Sequence, residues 1–309
     1  MSIERTTTID LGFRGCPECV GAFLVRTSAG PVLVEAGPAR CLPALEAGLA
    51  AEGTGLHEVR ELLLTHIHLD HAGATGACTA AGATVHVHPR GARHLIEPER
   101  LMASATRVFG SFLEANLGHL EPSPSDRVRP VEDGERIVVG DASFTALETP
   151  GHAAHHHAWL LEADGRREVF AGDAAGMRIP GTSFATLPLV APEFDPEAWQ
   201  ASIERIRGLE PDALWLTHFG RVDEPLPFLD SVSRRLEAET AWVSELLENA
   251  DDVEIENHIP AYRAWHHAQA ETHQVDPALL DRHCPDLHFR SNLVGVDRWL
   301  RRRAARSSG

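Results

Sequence analysis

Leu64-Thr65-His66-Ile67-His68-Leu69-Asp70-His71-Ala72-Gly73 gathers three imidazoles and a carboxylate within six residues. The segment directly follows residues 59–65, an apolar run that reads as a strand. In extended chain alternate side chains share a face, so His66 and His68 project together as a natural pair of ligands for one metal ion. Asp70 and His71 arrive as the chain turns, and His71 is free to swing toward a neighbouring position. Ala72 and Gly73 are small, which lets the following helix start close to whatever the four side chains hold. Imidazole and carboxylate together suit zinc, and also iron or manganese.

Three later segments repeat the device of an apolar strand that ends on a metal-competent side chain. Thr149-Pro150-Gly151-His152 presents His152 from a tight turn. Ala171-Gly172-Asp173 presents a carboxylate, and Leu216-Thr217-His218-Phe219-Gly220 presents His218. Between them the chain alternates strands and helices. Strands are predicted at 20–26, 31–35, 59–65, 84–88, 136–139, 143–148, 158–162, 168–172 and 213–217. Helices are predicted at 41–51, 99–118 and 196–208, with everything from 225 onward helical. The 99–118 helix rests on Leu101, Ala105, Val108, Phe109, Phe112, Leu113 and Leu117 at helical spacing, and the EPSPS run at 121–125 ends it. Strand ends that converge on one edge of a layered α/β fold would bring the four motifs to a single site.

In this order the motifs resemble the metallo-β-lactamase-fold hydrolase superfamily, over about residues 8–220. The resemblance implies a four-layered αββα sandwich, with a catalytic domain at 1–224 and a C-terminal helical extension at 225–309. It also implies a dinuclear site of two divalent ions, zinc first. His66, His68 and His152 would hold one ion and Asp70, His71 and His218 the other, with Asp173 bridging. An aspartate at 173 rather than a cysteine is similar to the glyoxalase II and lactonase side of the superfamily. Many members carry aspartate at the strand end where this chain has Glu35, in Val34-Glu35-Ala36-Gly37; that acid would orient a histidine ligand. His156, four residues after His152, matches a further glyoxalase II histidine, whereas His155 and His157 are additional.

The implied reaction is attack of an acidified water, as hydroxide, on a carbonyl carbon, with Asp70 as the proton carrier. Ester, thioester and lactone bonds are the corresponding substrates. A mononuclear iron persulfide dioxygenase shares the motifs and is the rival reading; a phosphodiesterase is a weaker one. Residues 177–192 are an insertion between ligands, and Met177, Ile179, Phe184 and Leu187 within it are candidate pocket walls for an acyl or alkyl group.

Composition narrows the partners to a small-molecule substrate. The 309-residue chain has 45 acidic residues against 28 basic ones, a formal net charge of −17, and every basic residue is arginine. Such a surface is unsuited to neutralising nucleic acid or anionic lipid, and the absence of lysine excludes Schiff-base chemistry. No apolar run approaches the roughly 20 residues of a membrane helix. Met1 to Asp10 lacks the apolar core of a signal peptide. Five scattered cysteines make no disulfide framework, and Cys16 and Cys19 read as small residues entering a strand because no second such pair completes a zinc site. These features lead to the expectation of a cytoplasmic, reduced protein that can form a homodimer. His86 and His88 repeat the H-x-H spacing in a strand, but with no acid beside them they are read as structural. Arg290 to Arg306 holds six arginines and one acid, Asp297, a basic stripe expected on a solvated last helix.

Overall fold

The computed structural model describes residues 4–249 and 254–307, and its chain divides into two compact units. Residues 1–3, where the N-terminal reading begins, and 250–253 and 308–309 of the helical tail lie outside the described residues. The first unit takes in 1–148, 155–172 and 210–223; the second takes in 149–154, 173–209 and 224–309.

Two six-stranded sheets build the first unit. One has the order β1 (Thr6–Asp10), β2 (Gly21–Thr27), β3 (Gly30–Val34), β4 (Glu61–Leu63), β5 (Thr84–Val87), β6 (Val128–Pro130). The other runs from β7 (Arg136–Val139) through β8 (Ala142–Glu148), β9 (His157–Ala163) and β10 (Arg166–Phe170) to β13 (Ala213–Leu216) and β14 (Gly220–Val222). β1–β2–β3 is an antiparallel meander, whereas β3, β4, β5 and β6 are mutually parallel, joined by helical crossovers. The crossovers carry α1 (Leu42–Ala51), α2 (Leu69–Ala72), α3 (Thr75–Ala80), α4 (Pro89–Ile96) and α5 (Glu99–Phe109).

Alternation along the strands sorts the side chains into two cores. Phe23, Val25, Val32, Val34 and Leu63 pack against Phe144, Trp159, Leu161, Phe170 and Trp215 of the other sheet. Phe23 lies 5.3 Å from Phe170 and 5.7 Å from Trp215, ring centre to ring centre. Leu24, Leu33, Leu62, Leu64 and Val85 face the other way, onto Leu45, Leu49 and Leu95 of the crossover helices. Three hydrogen bonds tie the strand ends of the two sheets: the His157 amide to Thr65 O at 2.7 Å, the Gly21 amide to Thr217 O at 2.8 Å, and the Trp159 indole to Leu64 O at 2.9 Å.

The second unit is largely helical. It contains the short pair β11 (Met177–Arg178) and β12 (Ala185–Thr186), then α6 (Pro196–Arg207), α7 (Pro225–Glu248), α8 (Ile259–Glu271), α9 (Pro277–His283) and α10 (Asp286–Ser307). Its centre is polar and interlocked. Arg235 Nε donates to Glu239 at 2.9 Å, Tyr262 donates its hydroxyl to the same carboxyl group, and Asn292 Nδ2 donates to the Tyr262 oxygen at 3.0 Å. Burial pushes the Glu239 carboxyl above its ordinary range, against the pull of Arg235. The Arg235 guanidinium also stacks over Phe184 and Trp265, at 4.6 and 4.9 Å from the ring centres.

Two expectations need correction. The helix expected over 99–118 is broken: α5 ends at Phe109 and Gly110 turns the backbone to a φ of 52°, after which residues 111–112 lead into a π-helical turn, Leu113–Leu117. A glycine in the left-handed region stops a helix more strongly than apolar periodicity can continue it. His86 and His88 do have acids beside them, brought by the fold from distant sequence: Glu61 for His86 at 2.5 Å and Glu148 for His88 at 3.1 Å.

Gly295 provides a test of packing against propensity. Alanine in a helix interior is favoured over glycine by about 1 kcal/mol, but a Cβ at Gly295 would stand 1.7 Å from the Leu189 carbonyl oxygen. Overpacking of this kind costs roughly 1–3 kcal/mol or more. Gly295→Ala is therefore expected to lower the urea midpoint; a raised midpoint would show that α10 is not seated on residue 189.

Candidate metal centre

In the first unit every site residue follows the C-terminal end of a strand or starts the next. Val34 of β3 pairs with Leu63 of β4, so Glu35 emerges beside residues 64–66. Phe170 of β10 pairs with Trp215 of β13, which carries Thr217 and His218 just past the parallel end. His66 Nε2 and His68 Nδ1 converge to 2.8 Å, as the alternation of an extended segment requires. Past them α2 begins, and Asp70, His71 and His218 each bring one ligand atom to within 4.8 Å of the others. The Asp70 carboxylate lies 3.6 Å from His218 Nε2 and 3.9 Å from His71 Nε2. A Cβ on Gly73 would meet Leu69 O at 2.4 Å and Ala39 N at 2.6 Å, so this turn is available only to glycine.

The donor chemistry fits a divalent metal, and the hydrogen bonds around the imidazoles say which nitrogen is offered. His218 Nδ1 lies 2.8 Å from the Cys19 carbonyl oxygen. A carbonyl can only accept, so that nitrogen carries the proton and Nε2 presents its lone pair. His71 Nδ1 is held at 3.0 Å by Glu35 Oε1, which leaves Nε2 facing Asp70. The second unit repeats the arrangement: His152 Nδ1 lies 2.8 Å from Pro188 O, and its Nε2 faces Asp173 Oδ2 at 3.2 Å.

Glu35 is wholly buried at a φ of 66°. Its Oε1 accepts from the Thr65 hydroxyl at 2.5 Å and the Thr217 hydroxyl at 3.2 Å, and its Oε2 faces the Thr65 amide at 3.3 Å. One carboxyl group thus reaches the ends of both sheets and a histidine of the motif. His156 is also wholly buried, with its ring 5.0 Å from that of His66. Gly172, at a φ of 48°, leaves room for it: a Cβ there would meet Thr65 Oγ1 at 2.6 Å and His156 Nε2 at 2.7 Å. His155 stacks 6.1 Å from His66, while His157 turns to the other side and packs 4.6 Å from His88.

The candidate pocket walls all fall in the second unit. Ile179, Phe184 and Leu187 are buried there, and Met177 is half-buried. Phe184 packs against Arg235 and the His266 ring, and the Leu187 carbonyl accepts from Asn292 at 2.8 Å. The positioning groups not anticipated from sequence are Thr65, Thr217 and the carbonyls of Cys19 and Pro188. The two threonines each adjoin a histidine of a motif, which is the one signal that could have pointed to them. No helix of the described residues is long and apolar enough to cross a membrane.

If Glu35 fixes His71 for metal, Glu35→Gln should lower affinity at the Asp70–His71–His218 set by about 10–100-fold, the usual scale for such outer partners. Competition with a chelator measures this, and unchanged affinity would remove Glu35 from any such role.

The family model of the metallo-beta-lactamase superfamily matches residues 20–218. A metallo-beta-lactamase fold-containing protein of Sulfurisphaera tokodaii is 25% identical over 210 residues, 67% of this chain and 75% of its own. A hydroxyacylglutathione hydrolase of Fuscovulum blasticum is 29% identical over 67% of this chain and 65% of its own. An atrochrysone carboxyl ACP thioesterase of Aspergillus fumigatus is 30% identical, over 49% of this chain and only 38% of its own. Among solved structures, a metallo-beta-lactamase family protein from Thermus thermophilus superposes with a TM-score of 0.68 at 21% identity, covering 99% of this chain and 96% of that one. With the motif order, the paired six-stranded sheets and a family match spanning most of its length, this chain belongs to the metallo-beta-lactamase superfamily and has its αββα fold.

Proposed function

We propose that the protein is a metal-dependent hydrolase of carbonyl ester-type bonds, thioester, lactone or ester, working with two divalent ions, zinc by preference. His66, His68 and His152 would hold one ion and Asp70, His71 and His218 the other, with Asp173 as the further carboxylate ligand. Bound ions of this kind supply an acidified water and an electrophilic partner for the carbonyl oxygen. The chain's own groups do the rest. Glu35 and the Cys19 and Pro188 carbonyls hold three imidazoles in one tautomer, so each offers Nε2 without rearrangement. Asp70 is about one-third exposed and lies between two of those imidazoles, which supports it as the carboxylate that would take the water's proton.

The observation that carries this reading is the fully assembled second set, Asp70, His71 and His218, with the Nδ1 atoms of both histidines already engaged. A one-iron oxygenase needs only one of the two sets, so metal bound at Asp70, His71 and His218 is what separates the two readings. Thioesters come first among substrates because relatives are named hydroxyacylglutathione hydrolase and ACP thioesterase. Phosphodiesters come last, given a net charge of −17.

Metal analysis of the purified protein followed by a panel of thioesters, lactones and phosphodiesters tests the proposal. Zinc-like ions filling both sets and a thioester or lactone turned over at least about tenfold faster than any phosphodiester are expected, a margin of roughly 1.4 kcal/mol in barrier. His68→Ala and Asp173→Ala should each abolish turnover and lower metal content. A single iron with oxygen uptake on a persulfide, or preference for a phosphodiester, would overturn it.

A further inference from the structure

The second unit contains a cluster of soft donors that neither ligand set above employs. His266 of α8, Cys284 just past α9 and His288 of α10 each place one ligand atom within 4.8 Å of the others. His266 and Cys284 are buried and His288 is half-buried. The Thr186 hydroxyl of β12 faces all three, at 3.0 Å from His266 Nε2, 3.3 Å from His288 Nε2 and 3.8 Å from Cys284 Sγ. The other ring nitrogen of His266 is buried with no hydrogen-bond partner among the described residues, so the Thr186 hydroxyl is the hydrogen-bond partner that holds this imidazole.

Packing alone would be served better by apolar side chains, because two imidazoles and a thiol taken from water must each find a partner. The donor types point to a particular class of ligand. A thiolate with two imidazoles is a zinc donor set, whereas magnesium and calcium demand several oxygens that this cluster lacks.

We propose that His266, Cys284 and His288 bind one thiophilic divalent ion, zinc by chemistry, as a structural clamp that fastens α8, α9 and α10 to β12. The Thr186 hydroxyl faces the fourth position of the tetrahedron. With metal–sulfur and metal–nitrogen bonds of about 2.3 and 2.0 Å, ligand atoms of a tetrahedral site stand roughly 3.3–3.6 Å apart, so closure asks each side chain to move by about 1 Å or less. Burial pushes the free Cys284 thiol up to about 12, so it starts as S–H. Binding exchanges the S–H bond for a sulfur–metal bond and releases that one proton to solvent. Three helices, two of them short of the length at which an isolated helix holds itself, would then share one tether.

Cobalt(II) distinguishes this ion from the catalytic pair, because the proposed catalytic set contains no cysteine and only a thiolate ligand gives a sulfur-to-cobalt charge-transfer band in the near ultraviolet. The full chain, stripped with chelator and reloaded with cobalt chloride, should show that band. It should persist in His68→Ala and in the Cys16→Ser/Cys19→Ser double variant, and vanish in Cys284→Ser. Should Cys284→Ser prove unfolded by circular dichroism, His288→Gln replaces it, with cobalt affinity read at the band expected to fall at least tenfold. Absence of the band in the wild-type chain, its survival in folded Cys284→Ser, unchanged affinity in His288→Gln, or its loss in the Cys16→Ser/Cys19→Ser variant would each overturn the clamp. Because the readout is sulfur-specific, the hydrolase reading can fail while the clamp stands, and the reverse.

Discussion

The first unit is organised around one buried carboxyl group. Glu35 has no contact with water, so its two oxygens must be met by donors from the protein or the fold loses the hydration it gave up. The donors come from three places: the hydroxyl and amide of Thr65 at the end of β4, the hydroxyl of Thr217 at the end of β13, and His71 in α2. The same residues border the inter-sheet hydrogen bonds of Thr65 O and Thr217 O. Satisfying Glu35 therefore aligns the two sheet edges and, through His71, one end of the metal motif. The φ of 66° at a non-glycine residue costs of order 1 kcal/mol, a strain that persists only where surrounding contacts over-determine it. Glutamate, one methylene longer than the aspartate common at this strand end, reaches all of these donors from that conformation.

Side-chain chemistry made much of this legible, and backbone chemistry hid the rest. The proposed ligands stand out in the sequence because they combine two signals, an apolar strand and a donor placed just past its end. The alternation of His66 and His68 carried over directly into converging ring nitrogens. The groups that fix their tautomers could not be read, because a carbonyl oxygen belongs to every residue type: nothing in Cys19 or Pro188 as letters says that its oxygen will hold a histidine. Likewise, the acids that meet His86 and His88 come from 25 and 60 residues away, so local inspection saw bare imidazoles. The short strands β1, β6 and β14 went unread because three to five residues with little alternation carry no period. α4 was missed for another reason: Pro89 looks like a strand terminator and is in fact a first-turn helix residue, capped by His88.

Exclusive use of arginine has a structural sense that composition alone did not reveal. Arg5 reaches Asp141, Asp164 and the Arg26 carbonyl at once, a forked pattern that an ammonium group does not reproduce. Arg235 does more, since its plane lies over Phe184 and Trp265 while its edge donates to Glu239. Two aromatic rings and a carboxylate thus meet one planar cation, a combination that the compact ammonium of lysine does not match.

The helical tail, which carries none of the proposed ligands, nonetheless bears on one. His152 is oriented by the carbonyl of Pro188, and that stretch of backbone is gripped on both sides by Asn292 of α10, which donates to Leu187 O and accepts from the Leu189 amide. Asn292 in turn donates to Tyr262, which donates to Glu239, which accepts from Arg235. Each link is buried, so each is stiffer and more costly to break than its counterpart at a surface. Tyr262 is wholly buried and thereby occupied as a donor within this chain of bonds. The tail is a splint for the turn that aims His152, and a defect introduced anywhere from Arg235 to Asn292 is expected to reach the His152 ring through bonds of fixed direction.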